Sequence, residues 1–250
     1  MKKISCYIFL FITIFTIIAF SFYLKNSNQE DEKNIKSQVE FCELNFVAFG
    51  DSITYGADLI IGGRVNTPYP TAVNNILKFK SYSNQGVSGA TLCSNNLGLT
   101  CITDIITNYN GKADIIAVLG GVNDYNRSLP LGNINDCDKS TIYGALNVSM
   151  SYLKNNYPNS YIFYMTPYKE YYNNIHWSTK NNQGYNLEAV SVAIKEVAKI
   201  YEIDVLDLFE KGNFESIMYS ADCDGIHPNQ KFITNVMSPQ IARFITKNYV

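Results

Sequence analysis

The side chains of this chain that could do chemistry are a serine, an aspartate and a histidine. Ser52 comes shortly after the apolar run at residues 45–49, whereas Asp224 and His227 stand near the other end of the chain. A neutral imidazole can accept the proton of a serine hydroxyl, and a carboxylate can hold that imidazole in the required tautomer. The combination predicts a serine nucleophile that His227 activates. Asp222 is a competing carboxylate, and the spacing favours Asp224.

Nearly continuous apolar runs predict the strands of a parallel sheet that is covered on both faces. They lie at residues 45–49, 115–119, 161–166 and 203–206, and a shorter strand is expected before Gln85. The helical patterns between and after them lie at residues 69–78, 140–155, 187–201 and 229–247. This alternation predicts an α/β fold, a three-layer α/β/α sandwich with a mostly parallel sheet. Loops after parallel strands gather at the carboxyl edge of the sheet, where ligands bind.

Four short blocks stand beside these elements in the order Phe49–Gly56, Asn84–Thr91, Gly120–Asp124 and Asp224–Pro228. The first contains Gly-Asp-Ser, the third Gly-Val-Asn-Asp and the fourth Asp-Gly-Ile-His. In content and order they resemble the SGNH hydrolase superfamily, also called the GDSL esterase and lipase family. The resemblance extends over roughly residues 45 to 245. It implies the SGNH, flavodoxin-like form of the fold and a hydrolase acting on ester bonds.

The resemblance implies a role for each matched residue. Ser52 matches the nucleophile, His227 the general base and Asp224 the carboxylate that orients it. Gly86 and Asn123 match two donors of the oxyanion hole, through a backbone N–H and a side-chain amide, and the backbone N–H of Ser52 is the third donor. Such donors stabilise the tetrahedral intermediate, and the loss of one typically costs roughly 3 kcal/mol. A glycine at position 86 would let a substrate approach the backbone closely.

Each assignment has an alternative in local structure. Ser52 could cap a helix, and His227 could belong to the cap of the last helix. Gly89 competes with Gly86 for the oxyanion role, and either glycine could serve only a turn. Asn123 could also be a turn residue.

Three loops are candidates for substrate binding. A Tyr- and Asn-rich loop after the third long strand carries His176 and Trp177. The indole could stack on a sugar ring or cover an acyl chain, or it could simply anchor its own loop. The other candidates are the segments Leu59–Thr67 and Tyr125–Lys139.

The first 40 residues are expected to lie outside the hydrolase domain, which is assigned to residues 41–250. The stretch from Ile4 to Leu24 is uncharged, and its 21 residues are about the length that spans a hydrocarbon core of roughly 30 Å. Residues 1–24 are therefore expected to be a signal anchor, or a signal peptide that is cleaved. Residues 25–40 are polar and are predicted to be a flexible tether. Both alternatives place the domain outside the cytoplasm, either anchored through residues 4–24 or secreted.

Composition argues against several other functions. The net charge is −2 and no basic stripe is present, so no nucleic-acid partner is expected. The sequence has no Cys-x-x-Cys or His-x-x-His spacing, so no metal is expected. The predicted ester chemistry also needs no organic cofactor.

Five cysteines lie beyond the N-terminal apolar segment, and a location outside the cytoplasm would permit disulfides. Cys93 and Cys101 bracket a short loop and are the expected pair. A second bridge from Cys137 to Cys223 would clamp the histidine loop. The alternative is that all five thiols are reduced.

The function expected from these features is a serine esterase that forms an acyl-enzyme on Ser52 and then releases the acid to water. Polar aromatic loops and family precedent favour deacetylation of a glycan. The expected partners are thus a glycan ester or a small-molecule ester, and the membrane through the N-terminal segment. One alternative is a lipase, lysophospholipase or thioesterase for longer acyl chains, and another is acyl transfer to a sugar. An alternative of a different class is an inactive glycan-binding protein on a hydrolase fold.

Overall fold

The computed structural model describes residues 41–94 and 97–249 of the chain. The anchor or signal and the tether predicted for residues 1–40 lie outside the described residues. The contacts between residues divide the chain into two units, with the boundary after Glu43. The strands and helices given below belong to the unit that begins at Leu44. Within the described ranges, no helix has the length and apolar character needed to cross a membrane.

A five-stranded parallel sheet forms the middle layer. In chain order the strands are β1 Asn45–Gly50, β2 Ala57–Asp58, β3 Gly63–Arg64, β4 Ser81–Gly86, β5 Ile115–Leu119, β6 Tyr161–Met165, β7 Tyr171–Tyr172, β8 Ile175–His176 and β9 Asp204–Leu206. The central sheet has the order β4-β1-β5-β6-β9, and all of its pairings are parallel. Two short antiparallel hairpins, β2–β3 and β7–β8, stand apart from it. The predicted parallel sheet is therefore confirmed.

Helices cover both faces of this sheet. They are α1 Ser52–Tyr55, α2 Tyr69–Leu77, α3 Ile102–Asn108, α4 Val122–Asn126, α5 Ile142–Asn156, α6 Leu187–Ile200, α7 Leu208–Lys211, α8 Gln230–Phe232 and α9 Ser238–Asn248. Helix α5 packs between α3 and α6 on one face, while α2 packs against α9 on the other. The three-layer α/β/α architecture agrees with the prediction.

The core lies on both faces because alternate side chains of a strand point in opposite directions. Val47 and Phe49 belong to a buried cluster with residues of α3, α5 and α6. On the opposite face, Phe163 contacts Phe244 of α9 with ring centroids 5.4 Å apart. All five residues of β5 are buried. Burial on two sides explains why these strands are apolar runs rather than alternating patterns.

Two of the predicted elements differ in extent or continuity, and helix α3 was not predicted. Strand β4 is polar because it lies at the edge of the sheet and is partly exposed. The sequence therefore predicted only a short strand at this place. The helix predicted at 229–247 is interrupted by a π-helical segment, Ile233–Met237. Pro239 lies at the start of α9 and has no N–H to donate to the preceding turn, which accounts for the altered pattern.

Candidate active site

Ser52 lies at the sharp turn where β1 ends and α1 begins. The side-chain carboxyl group of Asp51 accepts a hydrogen bond from the Ile53 N–H at 2.9 Å and so caps the helix. Gly50 is required just before it, since a Cβ there would lie 2.1 Å from the hydroxyl oxygen of Thr54. This turn holds the Ser52 hydroxyl at the carboxyl edge of the sheet, in a side chain that is only 5% exposed.

His227 and Asp224 reach Ser52 from the loop before α8. His227 Nε2 lies 2.8 Å from Ser52 Oγ, and His227 Nδ1 lies 2.6 Å from Asp224 Oδ2. The other oxygen of Asp224 accepts hydrogen bonds from the backbone N–H groups of Ile226 at 3.0 Å and His227 at 2.7 Å. Burial raises the pKa of Asp224, but the hydrogen bonds from the side chain and backbone of His227 outweigh it. The pKa of this carboxyl therefore lies below its ordinary value.

Gly225 lets the loop between these two residues pass close to β7. Its φ is +86°, and a Cβ at this position would lie 1.7 Å from the carbonyl oxygen of Tyr171. The N–H of Tyr171 in turn donates to the Gly225 carbonyl at 3.0 Å. Only glycine fits this close approach, which holds the Asp224–His227 loop in place.

The three side chains form a continuous chain of hydrogen bonds. With Nδ1 donating to the carboxylate, Nε2 is free to accept the proton of the Ser52 hydroxyl. The same carboxylate stabilises the imidazolium that results. The structure thus brings together the three residues, 175 positions apart at the widest, that the sequence predicted to act jointly.

Asn123 lies on α4, which follows β5 through Gly121, a residue with φ of +108°. Its Nδ2 donates to the Ala90 carbonyl at 2.9 Å, and its Oδ1 accepts from Arg127 Nη1 at 2.6 Å. The neighbouring Asp124 is buried and accepts hydrogen bonds from two backbone N–H groups of the loop after β4. These bonds tie α4 to that loop and place the Asn123 amide at the edge of the sheet.

Gly86, predicted as an oxyanion donor, is not among the residues that line the active-site pocket. Its N–H donates to Asn84 Oδ1 at 2.9 Å. A Cβ at this position would lie 2.2 Å from the backbone nitrogen of Tyr55, so the close packing of α1 on β4 requires the glycine. The competing candidate, Gly89, does line the pocket and has φ of +80°. The geometry therefore favours Gly89 over Gly86 as the candidate donor.

A pocket of about 410 Å³ surrounds the contact between serine and histidine. The residues that line it are Ser52, Leu59, Ser88, Gly89, Asn123, Asn126, Arg127, Tyr172, Ile226 and His227. Arg127 and Tyr172 line the pocket but were not predicted individually from the sequence. One signal was available for Arg127, because it follows Asn123 by four positions, the spacing of neighbours on a helix.

Tyr125, His176 and Trp177 were predicted to bind substrate, but none of them lines this pocket. Tyr125 is buried, and its hydroxyl donates to the Thr179 carbonyl at 2.8 Å. Trp177 packs edge-on against Phe209 with ring centroids 5.2 Å apart. The nearby imidazole of His176 bonds within its own loop. These contacts favour the alternative in which the indole anchors its loop, and the substrate contact stays a prediction.

The expected disulfide between Cys93 and Cys101 is not formed, and both residues are buried free thiols. Cys93 Sγ donates to Asp124 Oδ1 at 3.2 Å, and Cys101 Sγ donates to a backbone carbonyl at 3.0 Å. Cys137 and Cys223 are also free, so the second expected bridge is absent too. In the described part of the chain, no group of three His, Cys, Asp or Glu side chains could hold a metal ion.

Two carboxyl groups near the Asp224–His227 pair are buried without full hydrogen bonding. Asp51 Oδ2 and Glu170 Oε1 have no hydrogen-bond partner among the described residues. Burial raises the pKa of Asp51 to about 7 and that of Glu170 to about 8. The second oxygen of Glu170 accepts from Asn126 Nδ2 at 3.2 Å. Both acids therefore keep their protons in the folded protein well above the ordinary carboxyl range.

Glu170→Gln should make the free energy of unfolding less dependent on pH. The folded protein holds this proton up to about pH 8, whereas the unfolded chain releases it near the ordinary pKa of 4.5. Between these values the folded state binds more protons, so the native protein loses stability as the pH rises. Urea unfolding at pH values across this window measures the slope. Glu210→Gln, at a more exposed carboxylate, should keep the native slope, and an unchanged slope for Glu170→Gln would contradict a buried neutral acid.

Solved structures share this architecture. A structure from Lactobacillus plantarum is 25% identical, with a TM-score of 0.73 over 83% of this chain and 99% of that chain. A possible lipase from Chitinophaga pinensis is 24% identical, with a TM-score of 0.64 over 82% of this chain and 98% of that chain. A carbohydrate acetylesterase family member from Sinorhizobium meliloti is 16% identical, with a TM-score of 0.54 over 82% of this chain and 99% of that chain.

No curated protein matches this sequence significantly. The model of the GDSL-like lipase/acylhydrolase family matches residues 48–232, a range that includes all four blocks. Because this match covers well over half of the sequence, the chain belongs to the GDSL-like lipase/acylhydrolase family and is an ester-bond hydrolase.

Proposed function

We propose that Ser52 is the nucleophile of this hydrolase and that His227 is its general base. The proposal rests on the 2.8 Å contact between His227 Nε2 and Ser52 Oγ. The 2.6 Å contact between His227 Nδ1 and Asp224 Oδ2 supports it. The imidazole takes the hydroxyl proton as Ser52 attacks the ester carbonyl, and then gives it to the departing alcohol. A water molecule, activated by the same imidazole, releases the acid from the acyl-enzyme.

The oxyanion of the tetrahedral intermediate needs hydrogen-bond donors at the wall of the pocket. We assign this role to the backbone N–H groups of Ser52 and Gly89 and to the side-chain amide of Asn123, all from residues that line the pocket. Gly89 replaces Gly86 in this set because the N–H of Gly86 is already bonded to Asn84. Donors that the fold holds in position before the reaction stabilise the developing charge without a reorganisation of the protein.

The proposed substrate is a glycan that carries a short acyl ester, most simply acetate. Ser88, Asn126 and Arg127 line the pocket beside the nucleophile, and their side chains can hydrogen-bond to sugar hydroxyls. Two aliphatic residues, Leu59 and Ile226, offer a small apolar surface for an acyl group. The N-terminal apolar segment supports an action on such a glycan outside the cytoplasm.

A second candidate, an ester with a longer acyl chain, is favoured by the turn between β2 and β3. Leu59, Ile60 and Ile61 are 51%, 52% and 65% exposed, and the first of them lines the pocket. An exposed apolar surface beside an active site suits an acyl chain or a lipid. The two candidates therefore differ in the acyl length that the enzyme should prefer.

Hydrolysis of 4-nitrophenyl esters from acetate to laurate separates the two candidates. For a glycan deacetylase, kcat/KM should be highest for acetate and should fall as the chain lengthens, since only two of the ten described residues that line the pocket, Leu59 and Ile226, are aliphatic. Acetate release from acetylated oligosaccharides and fatty-acid release from phospholipids are measured in parallel. Protein with Ser52→Ala gives the background. A clear preference for long acyl chains would remove the deacetylase proposal.

A further inference from the structure

Arg127 follows the last turn of α4, four residues after Asn123, and it lines the active-site pocket. Its Nη1 donates to Asn123 Oδ1 at 2.6 Å, a short hydrogen bond from a charged donor. The ion pairs formed among the described residues do not include Arg127. The guanidinium therefore directs its charge at a neutral amide rather than at a carboxylate.

The orientation of this amide matters for catalysis, because its oxygen accepts and its nitrogen donates. Two neighbours of opposite polarity hold it: the Ala90 carbonyl accepts from Nδ2 at 2.9 Å, and Arg127 donates to Oδ1. If the Asn123 amide turned over, its oxygen would face the Ala90 carbonyl and its nitrogen would face the guanidinium. Both contacts would then be repulsive. In the observed orientation, one N–H of Asn123 Nδ2 donates to the Ala90 carbonyl, and the second N–H is available to another acceptor.

We propose that Arg127 is a positioning residue for ester hydrolysis, which holds the Asn123 amide with one N–H turned to the oxyanion. The proposal rests on the oxyanion role given to Asn123 above. The charged hydrogen bond also draws electron density from Oδ1 and so makes the amide N–H a stronger donor. In the chemical step Arg127 touches no reacting atom and acts through Asn123.

A double-mutant cycle with 4-nitrophenyl acetate, a neutral ester, tests this proposal. Arg127→Met removes the donors and keeps most of the side-chain length. It should lower kcat about 10- to 100-fold, the range for a lost hydrogen bond to a charged group, with little change in KM. Asn123→Ala should lower kcat by about 10²- to 10³-fold. The double variant should be no slower than Asn123→Ala alone, because both changes remove the same interaction.

Two results would overturn the proposal. Losses that multiply in the double variant would mean that Arg127 acts independently of Asn123. A rise in KM confined to anionic esters, with normal hydrolysis of the neutral acetate, would make Arg127 an anion-binding residue instead.

Further variants separate these effects from folding. Arg127→Lys keeps a charged donor and should recover part of kcat, and it replaces Arg127→Met in the cycle if that variant fails to fold. Arg243→Met, at an exposed position on α9, is the matched control and should be fully active. If Ser52→Ala stays active, the proposed function itself fails. If Ser52→Ala is inactive while Arg127→Met keeps full kcat, only the role of Arg127 is refuted.

Discussion

Replacing Ser52 with alanine should abolish nearly all ester hydrolysis and leave the fold intact. Its hydroxyl lies 2.8 Å from His227 Nε2, so the substitution removes the nucleophile and leaves the imidazole with no hydroxyl to activate. Loss of the serine from a triad of this kind lowers kcat by about 10⁶-fold. Hydrolysis of 4-nitrophenyl acetate by the purified variant measures the effect, and thermal unfolding checks that the protein is folded.

Labelling with a fluorophosphonate tests the same assignment independently of turnover. Mass spectrometry should find the adduct on Ser52 in the native protein and no adduct in Ser52→Ala. Ser151→Ala, which changes a serine of α5 outside the active-site pocket, should be labelled and active like the native protein. Substantial hydrolysis by folded Ser52→Ala would contradict the mechanism. A folded native protein that takes no label would favour the inactive glycan-binding alternative.

Asp224→Asn should lower kcat by about 10⁴-fold at neutral pH. Oδ1 of Asp224 accepts from the backbone N–H groups of Ile226 and His227, so in the variant the amide oxygen should keep that place. The amide NH₂ would then face His227 Nδ1 and favour the tautomer that carries its proton on Nε2. A protonated Nε2 cannot accept the proton of Ser52. Steady-state kinetics at neutral pH measures the loss.

Asp222→Asn is the matched control for this prediction. Asp222 was the competing carboxylate in the sequence, but its side chain is exposed and bonds to Ser220 and Asn229. Its substitution should leave kcat unchanged. If Asp222→Asn lost activity and Asp224→Asn did not, the assignment of the orienting carboxylate would have to be reversed.

The fold could be predicted from the sequence where the burial of an element determines which types of residue it contains. Strand β5 is buried on both faces, and it appears in the sequence as the uninterrupted run Ile115–Leu119. Strand β4 lies at the edge of the sheet and is partly exposed, so most of its residues are polar. For that reason only a short part of it was predicted as a strand. The break before α9 was missed because apolar helical spacing continues across a π-helical segment. In each case the pattern of apolar and polar residues reflected the solvent exposure of the side chains. It did not reflect the backbone hydrogen bonds that define the element.

The candidate site shows the same division. Ser52, Asp224 and His227 could be named from their types and order, because few side chains can supply a nucleophile, a base and its orienting acid. The choice between Gly86 and Gly89 could not be made in this way. Both are glycines of one short block, and they differ in whether a neighbouring side chain already occupies the N–H.

Amino-acid identity thus determined the reaction type, since nucleophilicity and basicity are properties of the side chains themselves. Tertiary packing alone decided which groups line the pocket and which support the loops. It enclosed Trp177 against Phe209, left the thiols of Cys93 and Cys101 unpaired with each other, and set Arg127 on the Asn123 amide. A hydrogen-bonding group can act on a ligand only where no other partner satisfies it, and those partners come from segments distant in the chain.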